Sequence, residues 1–204
     1  MKTAVIFGAG EQNIAQLTLP ENCLVWAADG GLSYCEKLNI TPDFVIGDFD
    51  SLGFVPEKAE VLPVQKDITD MAAAVEKAEE QGCDTFYIYG GTGKRLDHTL
   101  ANISLLIGLS HKGKKAYLCD RDYTVTAVTN GDICFGEHEK GVISVFAADE
   151  KVHGVCEEGL LYSLDNATLE NKTALGVSNE FTGRKSRIAV KEGTLVIVKN
   201  HVSS

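Results

Sequence analysis

The sequence predicts a two-domain α/β protein, with a parallel-sheet N-terminal domain that carries helices on both faces and an all-β sandwich C-terminal domain. Up to about residue 120, short apolar strands alternate with turns and helical segments, an order typical of parallel sheets. Beyond that point, short β-type runs are separated by glycine-containing turns, and no helix of useful length fits among them. We therefore predict domains over residues 1–122 and 123–204.

The first two predicted strands both end in glycine-rich turns. Thr3–Phe7 is an apolar run that reaches a tight turn at Gly8-Ala9-Gly10. Cys23–Ala28 is the second strand and is followed by Asp29-Gly30-Gly31 and by helical spacing over Leu32–Leu38. The glycine pair leaves two interpretations open, an anion-binding turn at the start of a helix and an ordinary connection between strand and helix.

Two aspartates follow the third predicted strand, Phe44–Ile46. Asp48 and Asp50 flank Phe49, so in an extended segment both carboxylates point the same way while Phe49 turns toward the core. Two carboxylates at that spacing repel each other unless a cation lies between them. The carboxyl ends of strands in open α/β sheets are also where ligands bind. The pattern favours a metal site, and an aspartate-rich polar turn is the alternative.

An alanine-rich helix is predicted over Met71–Glu80, and it is preceded by one basic and two acidic residues, Lys66, Asp67 and Asp70. Thr69 or Asp67 is the expected N-cap of this helix. Helix capping and matching of the helix dipole account for the aspartates here without a metal. Lys66 is harder to explain in that way, because a positive charge near carboxylates at a helix start suits a phosphate.

A glycine-rich, basic loop follows the next predicted strand, Asp84–Tyr89. It reads Gly90-Gly91-Thr92-Gly93-Lys94-Arg95-Leu96-Asp97-His98 and precedes an apolar helix predicted over Leu100–Leu109. The spacing is not that of a Walker A loop. The glycine N–H groups and the planar guanidinium of Arg95 nevertheless suit phosphate oxygens. For His98, a role in the site and a place on the helix surface both stay open.

The all-β domain is predicted from short runs divided by turns that contain glycine. The runs are Tyr123–Val128, Ile133–Phe135, Val142–Phe146, Leu160–Tyr162, Ser186–Val190 and Thr194–Val198. The polar stretch Gly176–Gly183 is longer than a hairpin requires, which indicates a mobile or functional loop.

The composition of the chain indicates which kinds of binding partner and which cellular compartment are expected for the protein. The formal net charge is −10, which argues against a nucleic acid or an anionic membrane as the main partner. No stretch is long and apolar enough for a membrane span, and the N-terminal apolar run is too short for a signal peptide. The six cysteines show no Cys-x-x-Cys spacing, so we expect mostly buried, reduced thiols in a cytoplasmic protein.

Five motifs occur in one order along the chain, and together they resemble the thiamine pyrophosphokinase family. They are Asp29-Gly30-Gly31, Pro42-Asp43 with Gly47-Asp48-Phe49-Asp50-Ser51, Lys66-Asp67-x-Thr69-Asp70, Gly90-Gly91-Thr92-Gly93-x-Arg95-Leu96-Asp97-His98, and Ser178-Asn179-Glu180-Phe181. Each motif alone is weak, whereas all five in order are specific and span nearly the whole chain. The resemblance implies an α/β domain for ATP, a second domain for thiamine and dimerisation, and a homodimer whose sites are shared between subunits.

The resemblance also implies roles for individual residues. It assigns Mg²⁺ to Asp48, Asp50 and Asp70, whose hard carboxylate oxygens are the ligands that Mg²⁺ prefers. It puts Arg95 and Asp97 at the phosphate chain. The residues expected around the nucleotide are Asp29, Gly30, Gly31, Lys66, Gly91 and His98, and those expected at thiamine are Ser178 and Asn179.

Two positions depart from the family pattern. Lys94 stands where many relatives have glycine, and the only tryptophan, Trp26, lies in a predicted core strand of the first domain. The stacking that some relatives obtain from a tryptophan in the second domain therefore falls to another aromatic residue, for which Phe181 is a candidate.

The reaction implied is transfer of a diphosphate group from ATP to the hydroxyl of thiamine, with release of AMP. Two other classes account for the first domain alone, a metal-dependent nucleotide phosphohydrolase and a non-catalytic nucleotide-binding module. Neither accounts for five motifs in family order. The identity of any general base stays open between Asp70 and Asp97.

Overall fold

The structure is a computed structural model that describes residues 1–49, 59–61 and 68–202. The chain divides into two compact units, the first comprising residues 1–105 and 116–120 and the second residues 106–115 and 121–204. The roles predicted for residues 1–122 and 123–204 as functional domains stay predictions.

The chain up to residue 120 alternates strands and helices, as the sequence predicts. Its elements are β1 (Thr3–Phe7), β2 (Cys23–Ala28), α1 (Gly31–Lys37), β3 (Phe44–Gly47), β4 (Ala59–Val61), α2 (Asp70–Glu80), β5 (Thr85–Tyr89), α3 (Leu96–His111) and β6 (Lys115–Cys119). The strands lie in the order β6-β5-β1-β2-β3-β4. β1 pairs in parallel with both β2 and β5, and the pairs β2–β3 and β3–β4 are parallel too.

The central strand of this sheet is apolar because it is covered on both faces. Ala4, Val5, Ile6 and Phe7 of β1 are all fully buried. Continuous apolar runs of this kind are typical of parallel strands between helical layers. Since these four pairings are parallel, the loops after β1, β2, β3 and β5 emerge at the same edge of the sheet.

Helix α2 begins as predicted, with Thr69 as its N-cap. The Thr69 side chain accepts a hydrogen bond from the Ala72 N–H over 3.1 Å. Helix α3 differs from its prediction, because it begins at Leu96 rather than at Leu100. Asp97 and His98 consequently lie in its first helical turn rather than in the preceding loop.

The rest of the chain consists of antiparallel strands within the described residues. They are β7 (Tyr123–Thr129), β8 (Asp132–Phe135), β9 (Val142–Ala147), β10 (Lys151–Glu158), β11 (Leu164–Glu170), β12 (Asn179–Glu180), β13 (Ser186–Ala189) and β14 (Thr194–Asn200). One group lies in the order β12-β9-β14-β7 and the other in the order β11-β10-β13-β8. A single apolar cluster includes side chains of both groups, such as Val145 of β9 and Val155 of β10.

The predicted strand at Leu160–Tyr162 is wrong. Leu160 forms only an isolated bridge with Phe181, and the residues after it turn away. The sequence also failed to indicate β10 and β11, which form a long antiparallel pair. Register shifts interrupt this pair, and β11 is largely polar, so neither strand shows the alternation that marks a half-buried strand.

The expectation of mostly buried cysteines is also wrong. All six thiols are free, but only Cys35 and Cys83 are buried, and Cys134 is exposed. In the part of the chain that the structure describes, no helix is long and apolar enough to cross a membrane.

Candidate active site

A cleft of about 310 Å³ lies in the first unit where β1, β2 and β5 end. Its walls come from four stretches of chain that are distant in sequence. The lining residues are Gly8, Ala9, Gly10, Ala28, Asp29, Thr69, Asp70, Met71, Gly90, Gly91, Thr92, Gly93, Lys94, Arg95, His98 and Asn102. Three of the five motifs therefore contribute described lining residues to this cleft, namely those around Asp29, Asp70 and Gly90–His98. The Asp48 motif and the Ser178 motif contribute none among the described residues.

The loops after β1 and β5 are held together by main-chain hydrogen bonds. The Gly8 N–H donates to the Tyr89 carbonyl over 2.8 Å, and the Gly10 N–H donates to the Gly90 carbonyl over 2.7 Å. A Cβ atom on Gly10 would overlap the carbonyl oxygens of Gly90 and Thr92. Glycine is therefore required at residue 10 so that the two loops can approach this closely.

Lys94 adopts a backbone conformation that explains why glycine suits this position. Its φ angle is 48°, in the left-handed region where a side chain is strained. The Lys94 ammonium donates to the Ala9 carbonyl over 3.1 Å. The lysine therefore ties the glycine-rich loop to the loop after β1.

Arg95 and Asp97 form a bidentate ion pair at the mouth of the cleft. Arg95 Nε donates to Asp97 Oδ1 over 3.1 Å, and Arg95 Nη2 donates to Asp97 Oδ2 over 2.5 Å. The guanidinium lowers the pKa of the Asp97 carboxyl, and the carboxylate raises the pKa of Arg95. Asp97 Oδ1 also accepts from the His98 N–H, so Asp97 holds Arg95 against the first turn of α3.

A buried polar network supports the glycine-rich loop from below. Thr92 Oγ1 donates to Asp120 Oδ2 over 2.5 Å, and Asn13 Nδ2 donates to Asp120 Oδ1 over 2.8 Å. Thr92 is 1% exposed and Asp120 is 6% exposed. Because Asp120 bonds residues of both loops, it fixes the loop after β1 relative to the loop after β5.

Three carboxylates lie near the same edge of the sheet. Asp29 and Asp70 line the cleft, whereas Asp48 is not among its described lining residues. The end of β3 nevertheless packs against Asp29, since a Cβ atom on Gly47 would lie 3.0 Å from the Asp29 Cα. Among the described residues there is no group of three or more acidic, histidine or cysteine side chains that is arranged to hold a metal.

The backbone at Phe49 departs from the predicted extended form. Phe49 is 3% exposed, so its ring turns into the core as predicted, but its φ angle is 58°. Alternation of side chains along a strand therefore does not apply at this residue. Asp50 and Lys66 lie outside the described residues, and their predicted roles stay predictions.

Gly30 and Gly31 are explained by packing rather than by the cleft. Gly30 is the N-cap of α1, which is only seven residues long. A Cβ atom on Gly31 would overlap the carbonyl oxygen of Phe7, so glycine lets α1 lie directly against β1. Neither glycine is among the described residues that line the cleft, and their predicted contact with the nucleotide stays a prediction.

Ser178 and Asn179 lie in the second unit, where Asn179 is engaged internally. Asn179 is 4% exposed, and Nδ2 donates to Glu157 Oε2 and to the Tyr162 carbonyl. Asn179 Oδ1 accepts from the main-chain N–H groups of Tyr162 and Glu180. Ser178 is exposed with a φ angle of 61°, and its N–H donates to Ser144 Oγ. In this arrangement Asn179 shapes the loop, and Ser178 presents a side chain to solvent.

Two aromatic residues adjoin this loop, and they differ in accessibility. Tyr162 is 64% exposed, while Phe181 is partly buried and its ring packs edge-on against Phe135. Trp26 is 3% exposed in β2, as predicted. Tyr162 is therefore an exposed aromatic surface beside the loop, which the sequence does not indicate because its pattern predicts a strand over Leu160–Tyr162.

The sequence also missed Asn102, whose side chain reaches the cleft from α3. Asn102 is 5% exposed, and Nδ2 donates to the Gly91 carbonyl over 2.7 Å. Its spacing of four residues from His98 puts both on one face of the helix, and that spacing was the available signal.

Chemically, the cleft is suited to a polyphosphate. Its glycine-rich loops bring main-chain groups close to any ligand, and Arg95 and Lys94 supply positive charge at the mouth. Asp29 and Asp70 add carboxylate oxygens of the kind that bind a divalent cation together with phosphate. The arrangement can therefore hold a nucleotide, and it can stabilise negative charge that develops on a transferring phosphoryl group.

Comparisons with known proteins agree along the whole chain. Residues 15–118 match the family model for the thiamin pyrophosphokinase catalytic domain, and residues 133–195 match the one for the thiamin pyrophosphokinase vitamin B1 binding domain. The chain is 30% identical to a thiamine pyrophosphokinase of Bacillus subtilis (strain 168), over 98% of this chain and 99% of the relative.

Solved structures show the same fold. A crystal structure of thiamine pyrophosphokinase from Bacillus subtilis aligns with a TM-score of 0.88 and 24% identity, covering 100% of both chains. A thiamin pyrophosphokinase from Geobacillus thermodenitrificans aligns with a TM-score of 0.82 and 25% identity, covering 100% of this chain and 99% of that one. With both family models matched in order and a full-length relative at this identity, the chain belongs to the thiamine pyrophosphokinase family.

Proposed function

We propose that the protein is a transferase that moves a diphosphate group from ATP to the hydroxyl of thiamine, giving thiamine diphosphate and AMP. The observation that carries this proposal is the cleft at the carboxyl ends of β1, β2 and β5, with its glycine-rich walls and the Arg95–Asp97 pair. Membership of the family supplies the choice of thiamine as the acceptor.

ATP is proposed to bind in this cleft with its phosphates toward Arg95. The guanidinium is already oriented by Asp97, so little side-chain freedom is lost when phosphate oxygens bind. Lys94 and His98 also line the cleft. Asn102 and Thr92 hold the loop in shape, which positions its main-chain groups for the nucleotide.

Mg²⁺ fits the donor chemistry of this edge of the sheet. Asp48 follows β3 and Asp70 begins α2, and both supply hard carboxylate oxygens. Asp50 is the third residue that we propose as a ligand. When bound, Mg²⁺ supplies charge neutralisation for the phosphate chain and for the leaving group.

The protein's own contribution to the reaction is positioning and stabilisation of charge. The thiamine hydroxyl attacks the β-phosphorus in line, the bond to the α-phosphate oxygen breaks, and AMP leaves. Arg95 stabilises the charge that develops on the transferring group. The hydroxyl proton leaves late, and its acceptor stays open between Asp70, which we propose as a Mg²⁺ ligand, and Asp97. Arg95 lowers the pKa of Asp97, whose oxygens already accept hydrogen bonds.

Thiamine is proposed to bind beside Ser178 and Tyr162. Ser178 and Tyr162 are both exposed, and Asn179, the residue after Ser178, forms hydrogen bonds with the Tyr162 main chain. A flat, exposed tyrosine ring is suited to stack on the aromatic rings of thiamine. Tyr162 replaces Phe181 as the stacking residue in this proposal, since the Phe181 ring packs against Phe135.

We further propose a cytoplasmic homodimer whose active sites combine the first unit of one subunit with the second unit of the other. Support comes from large apolar side chains that are exposed in the second unit, namely Phe146, Leu161, Tyr162, Leu175 and Val177. Exposed apolar patches of this kind mark interaction surfaces. The cytoplasm provides both ATP and a reducing environment for the six free thiols.

Mixing inactive variants tests the shared site. Asp70→Asn and Asn179→Ala each inactivate a different half, so mixed dimers should contain one intact site and restore about a quarter of wild-type activity. Each variant incubated alone serves as the control, and exchange of subunits is followed with a tagged chain. Exchange without any recovery of activity would exclude sharing of the site.

The assay that tests the reaction uses purified protein with ATP, Mg²⁺ and thiamine, and follows AMP and ADP separately. The proposal predicts AMP in equal amount to thiamine diphosphate. ADP as the product, or nucleotide breakdown that does not depend on thiamine, would support the phosphohydrolase instead. Absence of turnover with intact ATP binding would support the non-catalytic module.

A further inference from the structure

The Glu157 carboxyl is buried in the second unit with one described hydrogen-bond partner. Glu157 is 1% exposed, and its Oε2 accepts from Asn179 Nδ2 over 2.5 Å. Its Oε1 is buried and has no hydrogen-bond partner among the described residues. A buried carboxyl with an unpartnered oxygen is unfavourable, and an apolar side chain of similar volume would avoid that cost. Packing alone therefore does not explain a glutamate at this position.

An irregularity in β10 turns Glu157 inward. The register against β11 shifts between His153 and Val155 and again between Val155 and Glu157, and Gly154 has a φ angle of 68°. Such β-bulges re-aim side chains relative to regular alternation. As a result Val155 and Glu157 are buried while Glu158 is exposed. The strand is thus shaped so that the carboxyl meets Asn179.

Hydrogen bonds of the Asn179 side chain connect Glu157 to two other segments of the chain. Its Oδ1 accepts from the Tyr162 N–H and from the Glu180 N–H, each over 2.9 Å. Its Nδ2 donates to the Tyr162 carbonyl over 2.7 Å as well as to Glu157. Because an amide can bind either way round, an acceptor at Glu157 selects the orientation in which Oδ1 faces the two main-chain N–H groups.

Burial raises the pKa of the Glu157 carboxyl, and the hydrogen bond from Asn179 partly opposes that rise. Glutamine has the same shape and keeps an acceptor oxygen, so it is the conservative replacement that should preserve the interaction.

We propose that Glu157 is a positioning residue for thiamine binding, which orients the Asn179 amide and through it the segments that carry Tyr162 and Ser178. The inference rests on the proposed function, because it takes thiamine as the ligand of these segments. Glu157 itself does not contact the substrate. Glu157 acts through the Asn179 side chain, which forms hydrogen bonds with the main chains of Tyr162 and Glu180.

The test compares Glu157→Met, which fills the space without an acceptor, with Glu157→Gln, which keeps the acceptor. The neighbouring exposed Glu158→Gln is the matched control. For Glu157→Met, loss of a buried hydrogen bond should raise the KM for thiamine about tenfold or more, while the KM for ATP changes less than about twofold. Hydrogen exchange measured by mass spectrometry should become faster at Tyr162 and Glu180. Glu157→Gln should restore both quantities.

Several outcomes would overturn the inference. One is an unchanged KM for thiamine in a folded Glu157→Met protein, and another is an equal rise of both KM values. A third is a Glu157→Gln variant as impaired as Glu157→Met. If Glu157→Met does not fold, Glu157→Ala takes its place with the same expectations.

Failure of the proposed function is distinguishable from failure of this inference. A wild-type protein that forms no AMP with thiamine overturns the function, and the thiamine part of the inference with it. An active wild type with unaffected Glu157 variants overturns the inference alone.

Discussion

Arg95 is a residue whose orientation is fixed before any ligand binds. The Asp97 carboxylate accepts hydrogen bonds from Nε and Nη2 of Arg95, and it also accepts one from the His98 N–H in the first turn of α3. The pair is largely exposed, so it adds little to stability in water. Its value is geometric, since a planar fork that is already aligned can bind phosphate oxygens with two hydrogen bonds.

We expect Arg95→Ala to lower kcat/KM for ATP about 100-fold or more, because charge stabilisation at the transferring group is lost. Arg95→Lys should recover little of this, since an ammonium group cannot form the planar pair. Arg121→Ala is the matched control, because Arg121 forms a similar exposed pair with Asp122 away from the lining of the cleft. Steady-state kinetics with varied ATP check the prediction, and equal effects of Arg95→Ala and Arg121→Ala would contradict it.

Asp70 has two proposed roles, one in the stability of α2 and one in the active site. Replacing it should affect stability little and turnover strongly. It lies in the first turn of α2, where a negative charge is favourable, and it also lines the cleft. We expect Asp70→Asn to reduce kcat about 100-fold or more at saturating Mg²⁺, with a loss of only about 1 kcal/mol in the free energy of unfolding.

Glu80→Gln is the control for Asp70→Asn, since Glu80 is an exposed residue at the other end of α2. Turnover and urea unfolding are measured on both variants. Wild-type turnover in folded Asp70→Asn would remove Asp70 from the proposed metal site.

The sequence predicts the position of a residue when a short motif defines it. It does not predict the position of a residue that depends on a partner distant in sequence. Asp29, Asp70 and Arg95, which the motifs assign to one site, line one cleft, while their roles there stay predictions. The motif order did not indicate that Asn179 would be occupied by internal hydrogen bonds, because its partner Glu157 lies 22 residues earlier in the chain. Pairings across such distances are set by tertiary structure, which short sequence windows do not contain.

At the scale of elements, the cleft depends on how closely the loops after β1 and β5 approach. Their contact consists of main-chain hydrogen bonds from Gly8, Gly10 and Glu11, and Asp120 fixes both loops from below. This makes the shape of the phosphate site a property of the parallel pair β1–β5 rather than of either loop alone.

We expect Gly10→Ala to weaken ATP binding and to destabilise the protein, because its Cβ would overlap two carbonyl oxygens of the facing loop. Gly108→Ala is the control, since Gly108 lies in α3 with no atom near the added Cβ. That substitution should raise the free energy of unfolding by up to about 1 kcal/mol, because alanine favours helix. Calorimetric titration with ATP and urea unfolding distinguish the two outcomes, and intact ATP affinity in Gly10→Ala would contradict the prediction.

Elements were predictable where periodicity was regular. β1 and β2 have the bounds that their apolar runs predict, and α2 has its predicted cap at Thr69. β10 escaped detection because its bulges break the alternation of buried and exposed side chains. α3 begins earlier than predicted because its first turn consists of polar residues of the glycine-rich motif.

At the scale of the whole molecule, the pH dependence of stability combines groups with opposite signs. Asp97, Asp122 and Asp132 have lowered pKa values because arginine side chains pair with them, so their contribution is lost as the pH falls through those values. Glu157 has a raised pKa because it is buried. Its contribution is fully present below the ordinary value of 4.5 and is lost as the pH rises through its folded-state pKa.

We therefore expect the wild type to lose unfolding free energy relative to Glu157→Gln as the pH rises from about 4.5 through the raised pKa of Glu157. The difference between the two proteins isolates Glu157, since all other titrating groups are shared. Urea unfolding at a series of pH values between about 4 and 8 measures it. A difference that does not change with pH would show that Glu157 titrates normally.

The position of β14 has a consequence for synthesis of the chain on the ribosome. β14 (Thr194–Asn200) follows both β7 and β9 in the sequence, yet it lies between them and pairs with both. Until it emerges, β7 and β9 each present an unpaired edge of the kind that promotes association with other nascent chains. A variant chain in which β14 cannot pair would therefore leave two strands without their shared neighbour, and such a product is expected to require chaperones or to be degraded.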